Sequence, residues 1–126
     1  MIYCRMPSRR VLVIEDDVDT QTILVLAFST HGYIVSTASN GHEGLIAARR
    51  QPPDVILLDL AMPVLDGFGF RTSQLKDPAL ASIPVICVSG RHDASEVARR
   101  MGIDRCLPKP FDLEVMLEEV ARLLVP

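Results

Sequence analysis

Nowhere in these 126 residues does an apolar stretch reach the length needed to cross a bilayer, and no low-complexity tract, repeat or internal linker divides the chain. A basic excess is also missing. The formal charge is −3, so there is no concentrated cationic face of the kind nucleic-acid binding requires. Cysteine is scarce: Cys4, Cys87 and Cys106 are odd in number and far apart, with no Cys-x-x-Cys spacing and no secretory signal, which points to reduced thiols in a cytoplasmic setting. What remains is one soluble domain, 48% apolar, with a single core. Residues 1–9 carry Arg5 and Arg9 without a sustained apolar segment and read as a flexible leader, leaving 10–126 as the domain.

The chain is organised around the stretch from Asp54 to Gly67. Val55 to Leu58 is a continuous apolar run, the mark of a strand buried on both faces of a parallel sheet, and it ends on the carboxylate of Asp59. Met62-Pro63 and Asp66-Gly67 then predict a shaped loop, since proline fixes φ and glycine admits positive φ. Val11 to Ile14 is a second such run, and it leads into Glu15, Asp16 and Asp17. Helical spacing of Ile23, Leu24, Ala27 and Phe28 follows, capped by Asp17 and closed by Gly32. Tyr33 to Ala38 reads as a more exposed strand. Asn40 and Glu43 open a helix with capping-box spacing, which Pro52-Pro53 halts.

A helix to about Leu75 comes after the central strand. A fourth strand over Pro84–Val88 ends on Ser89-Gly90, and a helix with a second capping box, Asp93 and Glu96, buries Ala94, Val97, Ala98 and Met101. A short strand from Asp104 to Leu107 runs into Pro108-Lys109-Pro110. The last helix, Leu113 to Leu124, is capped by Asp112, with Val115, Met116, Val120, Leu123 and Leu124 expected inward. Strands alternating with helices in this way predict an α/β fold, a parallel sheet covered on both faces.

In such a sheet, ligands gather beyond the carboxyl ends of the strands. The residues there are Glu15, Asp16, Asp59, Ser89 and Lys109. Three carboxylates together repel unless a cation neutralises them, and Mg2+ is the ion commonly held by a few carboxylates, waters and phosphate. A phosphoryl group is then the natural guest, with Asp59 as nucleophile, Lys109 pairing with a phosphoryl oxygen and Ser89 donating a hydrogen bond.

The chain resembles the receiver domain of two-component response regulators over Arg10 to Leu124. The resemblance rests on Glu15-Asp16, on Asp59-Leu60-Ala61-Met62-Pro63-Val64-Leu65-Asp66-Gly67, on Ser89-Gly90 and on Lys109-Pro110-Phe111. It implies a flavodoxin-like (βα)5 sheet in the order 2-1-3-4-5, of the stand-alone, single-domain type. It further implies a phosphorelay protein in which Asp59 takes a phosphoryl group from a sensor histidine kinase or histidine phosphotransfer protein. Asp16 would then ligate Mg2+ directly, Glu15 through water, and the Ala61 backbone carbonyl would complete the set. Lys109 would precede a cis proline, Ser89 would swing toward the phosphoryl group, and the face of the fourth helix, fifth strand and fifth helix would change for a downstream protein. The family docks its first helix on the kinase, which would give Val25 and Leu26 a role. A signalling switch, not an enzyme, is expected, monomeric or weakly dimeric, with no nucleic-acid or membrane partner.

Two departures bear on that expectation. Cys106 stands where the family places an aromatic residue, three positions before the lysine, so the usual packing exchange cannot take its usual form. Ala61 has no side-chain amide or acid to orient a hydrolytic water, which predicts a persistent acyl phosphate. Two readings of another kind stay open beside the phosphoacceptor: a degenerate receiver acting as a phosphorylation-independent interaction module, and an aspartate-nucleophile phosphatase of the haloacid dehalogenase kind. Ala61 stands where the latter has its second aspartate. A flavin site is disfavoured by the acidic first loop. His31 reads as a helix C-terminal residue, Cys87 as a small core hydrophobe, and Arg91, Arg99, Arg100 and Arg105 as a solvated surface.

Overall fold

A computed structural model describes residues 8–61, 66–103 and 105–124. The leader's first seven residues, the Met62-Pro63 turn and Asp104 lie outside the described residues. β1 (Arg10–Ile14), α1 (Val18–Thr30), β2 (Ile34–Ala38), α2 (Gly41–Arg50) and β3 (Val55–Asp59) form the first half. α3 (Gly67–Lys76), β4 (Val85–Ser89), α4 (Ala94–Arg100), β5 (Arg105–Pro108) and α5 (Leu113–Leu124) complete it. The five strands are parallel in the order β2-β1-β3-β4-β5, the expected α/β arrangement.

Strand alternation sorts the core into two layers. Leu12, Ile14, Ile56, Leu58 and Cys87 face Leu45 and Ala48 of α2, Phe70 of α3 and Ala98 of α4. Their neighbours Val11, Val13, Leu57, Ile86 and Val88 face Leu24 and Phe28 of α1 and Met116 and Val120 of α5. β3 is buried at every position because it is central and covered on both sides, which is why its sequence shows no polar alternation. β2, at an edge, is mostly exposed. Among the described residues no helix is long and apolar enough to cross a membrane.

Caps hold the helices where the sequence places them. The Asp17 carboxylate accepts from the Thr20 N–H at 3.0 Å, Asn40 from Glu43 at 2.9 Å, Asp66 from Gly69 at 2.9 Å and Asp112 from Glu114 at 2.9 Å. Gly32 takes φ 89° just beyond α1, where a side chain would be strained. His31 Nδ1 lies 2.9 Å from the Ala27 carbonyl, at the helix end as expected. Asp93 is a correction: it makes no side-chain cap bond and is held instead by Arg91 at 2.9 Å, an ion pair outcompeting the helix N–H groups.

The inward stripes also need correcting. Ile23 is 49% exposed on α1, and Val115 and Leu123 are 41% and 38% exposed on α5. Leu113 and Leu117 pack against the core in their place. Leu24 and Phe28 set the buried stripe of α1 and Met116 and Val120 that of α5, each pair four residues apart, and Ile23, Val115 and Leu123 fall beside those stripes. Gln74 was invisible to that spacing. Fully buried, it donates to the carbonyls of Leu80 and Ile83, each at 3.0 Å, and accepts from Arg71 at 2.8 Å, which ties α3 to the approach of β4.

Candidate functional site

Register decides what meets at the sheet's carboxyl edge. Ile14 lies opposite Leu58, Asp59 opposite Val88, and Ser89 opposite Pro108, so the residues that follow these strands share one rim. Asp59 is 5% exposed there, with Glu15 and Ser89 also buried, while Asp16 is open to solvent. Carboxylate oxygens of Glu15, Asp16 and Asp59 all lie within 4.8 Å of one another.

Lys109 reaches into this cluster from beyond β5. Its Nζ donates to Glu15 Oε1 at 2.9 Å, Glu15 Oε2 at 3.1 Å and Asp59 Oδ2 at 3.1 Å. Its backbone N–H donates to the Ser89 carbonyl at 3.0 Å, which ties the ends of the two loops together, and the Lys109-Pro110 peptide is cis. The other Asp59 oxygen, Oδ1, accepts the Ala61 N–H at 3.1 Å. Ser89 Oγ accepts the Arg91 N–H at 3.1 Å, an arrangement that leaves its own proton to donate.

The charges are unequal. Three carboxylates face one ammonium, so the pocket carries a net charge of about −2 when all are ionised. Glu15 responds most: burial is the main cause, hydrogen bonding with Asp59 and its repulsion add to it, Lys109 opposes, and the carboxyl is pushed up to about 7. Burial pulls the Lys109 ammonium down, but its hydrogen bond to Glu15 and the Asp59 charge outweigh that and raise it overall. The donor set is all oxygen, partly open to water, and short of positive charge by the amount a divalent ion carries. It fits Mg2+.

One positioning residue was not singled out from the sequence, and a second was singled out for a different task. Gln21, on α1, donates to the Glu15 carbonyl and lies 3.4 Å from the Ala38 carbonyl, fixing the turn that presents the acidic pair. Its signal was only a polar residue one turn into a helix that follows three acids. Gly67 packs on the strand itself: a Cβ there would stand 2.8 Å from Leu60 Cα and 2.9 Å from the Asp59 carbonyl. The sequence marked Gly67 as a turn residue, whereas its task is close approach to β3.

The surface arginines are largely matched: Arg91 with Asp93, Arg100 with Glu96 and Arg105 with Glu119, each at 2.9 Å. The expectation of isolated, reduced thiols is corrected. Cys87 is buried in the core as predicted, yet it is disulfide-bonded to Cys106 across β4 and β5. A sequence separation of 19 conceals that the strands are neighbours in register. Beside Cys106 opens a cavity of about 380 Å³, bounded also by Ser89, Arg91, Ala94 and Lys109.

A parallel five-stranded sheet with this acidic rim and an opposing lysine defines a phosphoryl-handling α/β switch module, and comparison with known proteins agrees. The family model of the response regulator receiver domain matches residues 11–121, and the chain belongs to that family. It is 33% identical to the protein PilH of Pseudomonas aeruginosa over 117 residues, which span 91% of this chain and 97% of PilH. It is 34% identical to the transcriptional regulator RpaA of Synechocystis, covering 91% of this chain but 48% of that protein. The chain thus spans about half the length of several relatives it matches and nearly all of PilH. Among solved structures, the chemotaxis response regulator CheY4 of Vibrio cholerae superposes with a TM-score of 0.86 at 27% identity, covering 94% of this chain and 100% of that one. As a receiver domain, the chain is a component of two-component signalling.

Proposed function

We propose that Asp59 is the phosphoacceptor of this receiver and that Glu15, Asp16, Asp59 and the Ala61 backbone carbonyl hold Mg2+ in a domain spanning 10–126. What carries the reading is Lys109, drawn from the loop after an edge strand onto the buried Asp59 and Glu15 carboxylates. A lysine so held is a counter-charge waiting for an anion.

An Asp59 carboxylate oxygen attacks the phosphorus of a phosphohistidine. The O–P bond forms as the N–P bond breaks, and the departing imidazole takes up a proton. Bound Mg2+ supplies the charge neutralisation that lets an anionic phosphoryl group approach three carboxylates. Lys109 then exchanges Asp59 Oδ2 for a phosphoryl oxygen, and the Ser89 hydroxyl donates to another. The buried setting and the Ala61 N–H orient the acceptor before the donor arrives. No side chain at Ala61 is available to align water, so the acyl phosphate persists.

The donor is the phosphohistidine of a sensor kinase or phosphotransfer protein, in the cytoplasm. Its docking surface is the exposed apolar side of α1, where Val18, Ile23 and Leu26 stand out, continuing into a cleft of about 580 Å³ formed with Lys109, Pro110 and Phe111. The output is read by another protein, and the domain acts as a switch, monomeric or weakly dimeric, rather than as an enzyme on free substrates. The test is incubation with acetyl phosphate and Mg2+ followed by intact mass. One added phosphoryl group on the wild type and none on Asp59→Ala is expected. Equal labelling of both, or of neither, defeats the assignment.

A further inference from the structure

Cys87 and Cys106 lie directly opposite each other in the β4·β5 register, with Cα atoms 4.5 Å apart, inside the range a disulfide spans. Cys87 is fully buried, whereas Cys106 is half-buried and lines the cavity beside Ser89, Arg91 and Lys109. Small oxidants and reductants therefore reach the pair from the Cys106 side. β5 is an edge strand of four residues, held to the sheet through β4 alone, with exposed positions at both ends. Three residues beyond Cys106 stands Lys109, and two beyond Cys87 stands Ser89. The bond sits where β4 and β5 are about to deliver those two side chains.

We propose that Cys87 and Cys106 are a reversible redox modification site, and that their oxidation state sets how firmly β5 holds Lys109 in the acidic pocket. Disulfides in reducing compartments are usually transient or sensing. A peroxide is the oxidant: the Cys106 thiolate attacks one peroxide oxygen, the O–O bond breaks, and Cys106 sulfenic acid and hydroxide result. The Cys87 sulfur then displaces the hydroxyl group from that sulfenic acid, forming the S–S bond, while its proton goes to the hydroxide already released and the displaced hydroxide leaves as water with a solvent proton. Two thiols and one peroxide give one disulfide and two waters. A dithiol reductant reverses this by attacking Cys106, with Cys87 leaving as the thiolate. Covalent attachment matters most for a strand with one neighbour, because nothing on its other side limits its excursions.

That the clamp tunes phosphoryl acceptance rests on the assignment of Asp59 and Lys109 above; the clamp itself does not. The test uses the full chain in a Cys4→Ser background, which removes the third thiol. After hydrogen peroxide, digestion with trypsin without reductant is expected to give fragments 77–91 and 106–122 joined, and dithiothreitol is expected to separate them. The Lys109 amide, bonded to the Ser89 carbonyl, is expected to exchange with solvent roughly fivefold or more slowly when the bond is closed. Cys106→Ser should exchange at the reduced rate whether or not peroxide is added. Thiols that stay free, or a bond that closes without slowing that amide, overturn the proposal. Beryllofluoride binding with Mg2+ is measured on both forms: failure of both to bind defeats the phosphoacceptor reading, while joined fragments and a slowed amide still uphold the clamp.

Discussion

With no cation in the acidic pocket, this protein should become less stable as pH rises from 5 to 8, against the usual behaviour of carboxylates. Glu15 is pushed up to about 7 when folded and returns to about 4.5 when unfolded. Between those values the folded chain keeps a proton that the unfolded chain has lost, so stability falls as pH climbs through the window. The separation is worth at most about 3 kcal/mol once the pH passes 7. Lys109 cannot mask this. Its raised value gives stability that is complete below its ordinary range near 10.5 and is lost only above it. Asp17, Asp77 and Asp93 are lowered by their hydrogen bonds to Thr20, Arg49 and Arg91, and their contributions disappear only below about 3.8.

The measurement is urea unfolding at pH 5.5, 6.5 and 8, in EDTA and in millimolar Mg2+. In EDTA the wild type should lose stability across the series, and Glu15→Gln, which cannot ionise, should lose less. Subtracting the two profiles cancels the titration of every group that does not interact with Glu15. Mg2+ competes with the proton, so its stabilising effect should be smallest at pH 5.5 and largest at pH 8. A wild type and a Glu15→Gln variant with parallel profiles in EDTA would refute the reasoning, as would a Mg2+ effect that is independent of pH.

Other perturbations test other parts. Gly67→Ala places a methyl against the backbone of Leu60 and Asp59, so it should cost about 1–3 kcal/mol in thermal or urea unfolding and slow labelling by acetyl phosphate. Gln74→Leu strands the buried carbonyls of Leu80 and Ile83 and should destabilise by about 1–3 kcal/mol without preventing labelling. Ile23→Asp charges the exposed apolar side of α1 and should slow transfer from a phosphohistidine protein while leaving acetyl phosphate labelling intact, as separate rate measurements would register. Ala61→Gln, adding an amide that can orient water, should shorten the life of the acyl phosphate, followed by the decay of intact mass.

Local chemistry was enough to place most of the elements. Buried strands announce themselves as unbroken apolar runs because a two-sided environment selects against polar alternation, and β1, β3 and β4 each did so. Capping residues reveal helix starts for the same local reason: Asp17, Asn40 and Asp112 must satisfy amides that the helix cannot. Asp93 misled, since a nearby arginine competed for its carboxylate. The acidic pair, Asp59, Ser89 and Lys109 could be gathered from sequence because each follows a strand, and parallel strands bring all their carboxyl ends to one side.

Tertiary structure alone decided what happens between strands that sequence separates. Register placed Cys87 against Cys106, and nothing in their spacing could foretell it, since residues 19 apart meet only if their strands are neighbours. Packing took Leu24 and Phe28 of α1 and Met116 and Val120 of α5 as the buried stripes and left Ile23, Val115 and Leu123 facing outward. The Lys109 ammonium bridging Glu15 and Asp59, and the displaced protonation of Glu15 that follows, depend on distances of about 3 Å across the pocket. Side-chain chemistry is a property of each residue and travels with the sequence, but Coulomb energy and desolvation depend on separation and burial, which exist only once the chain has closed on itself.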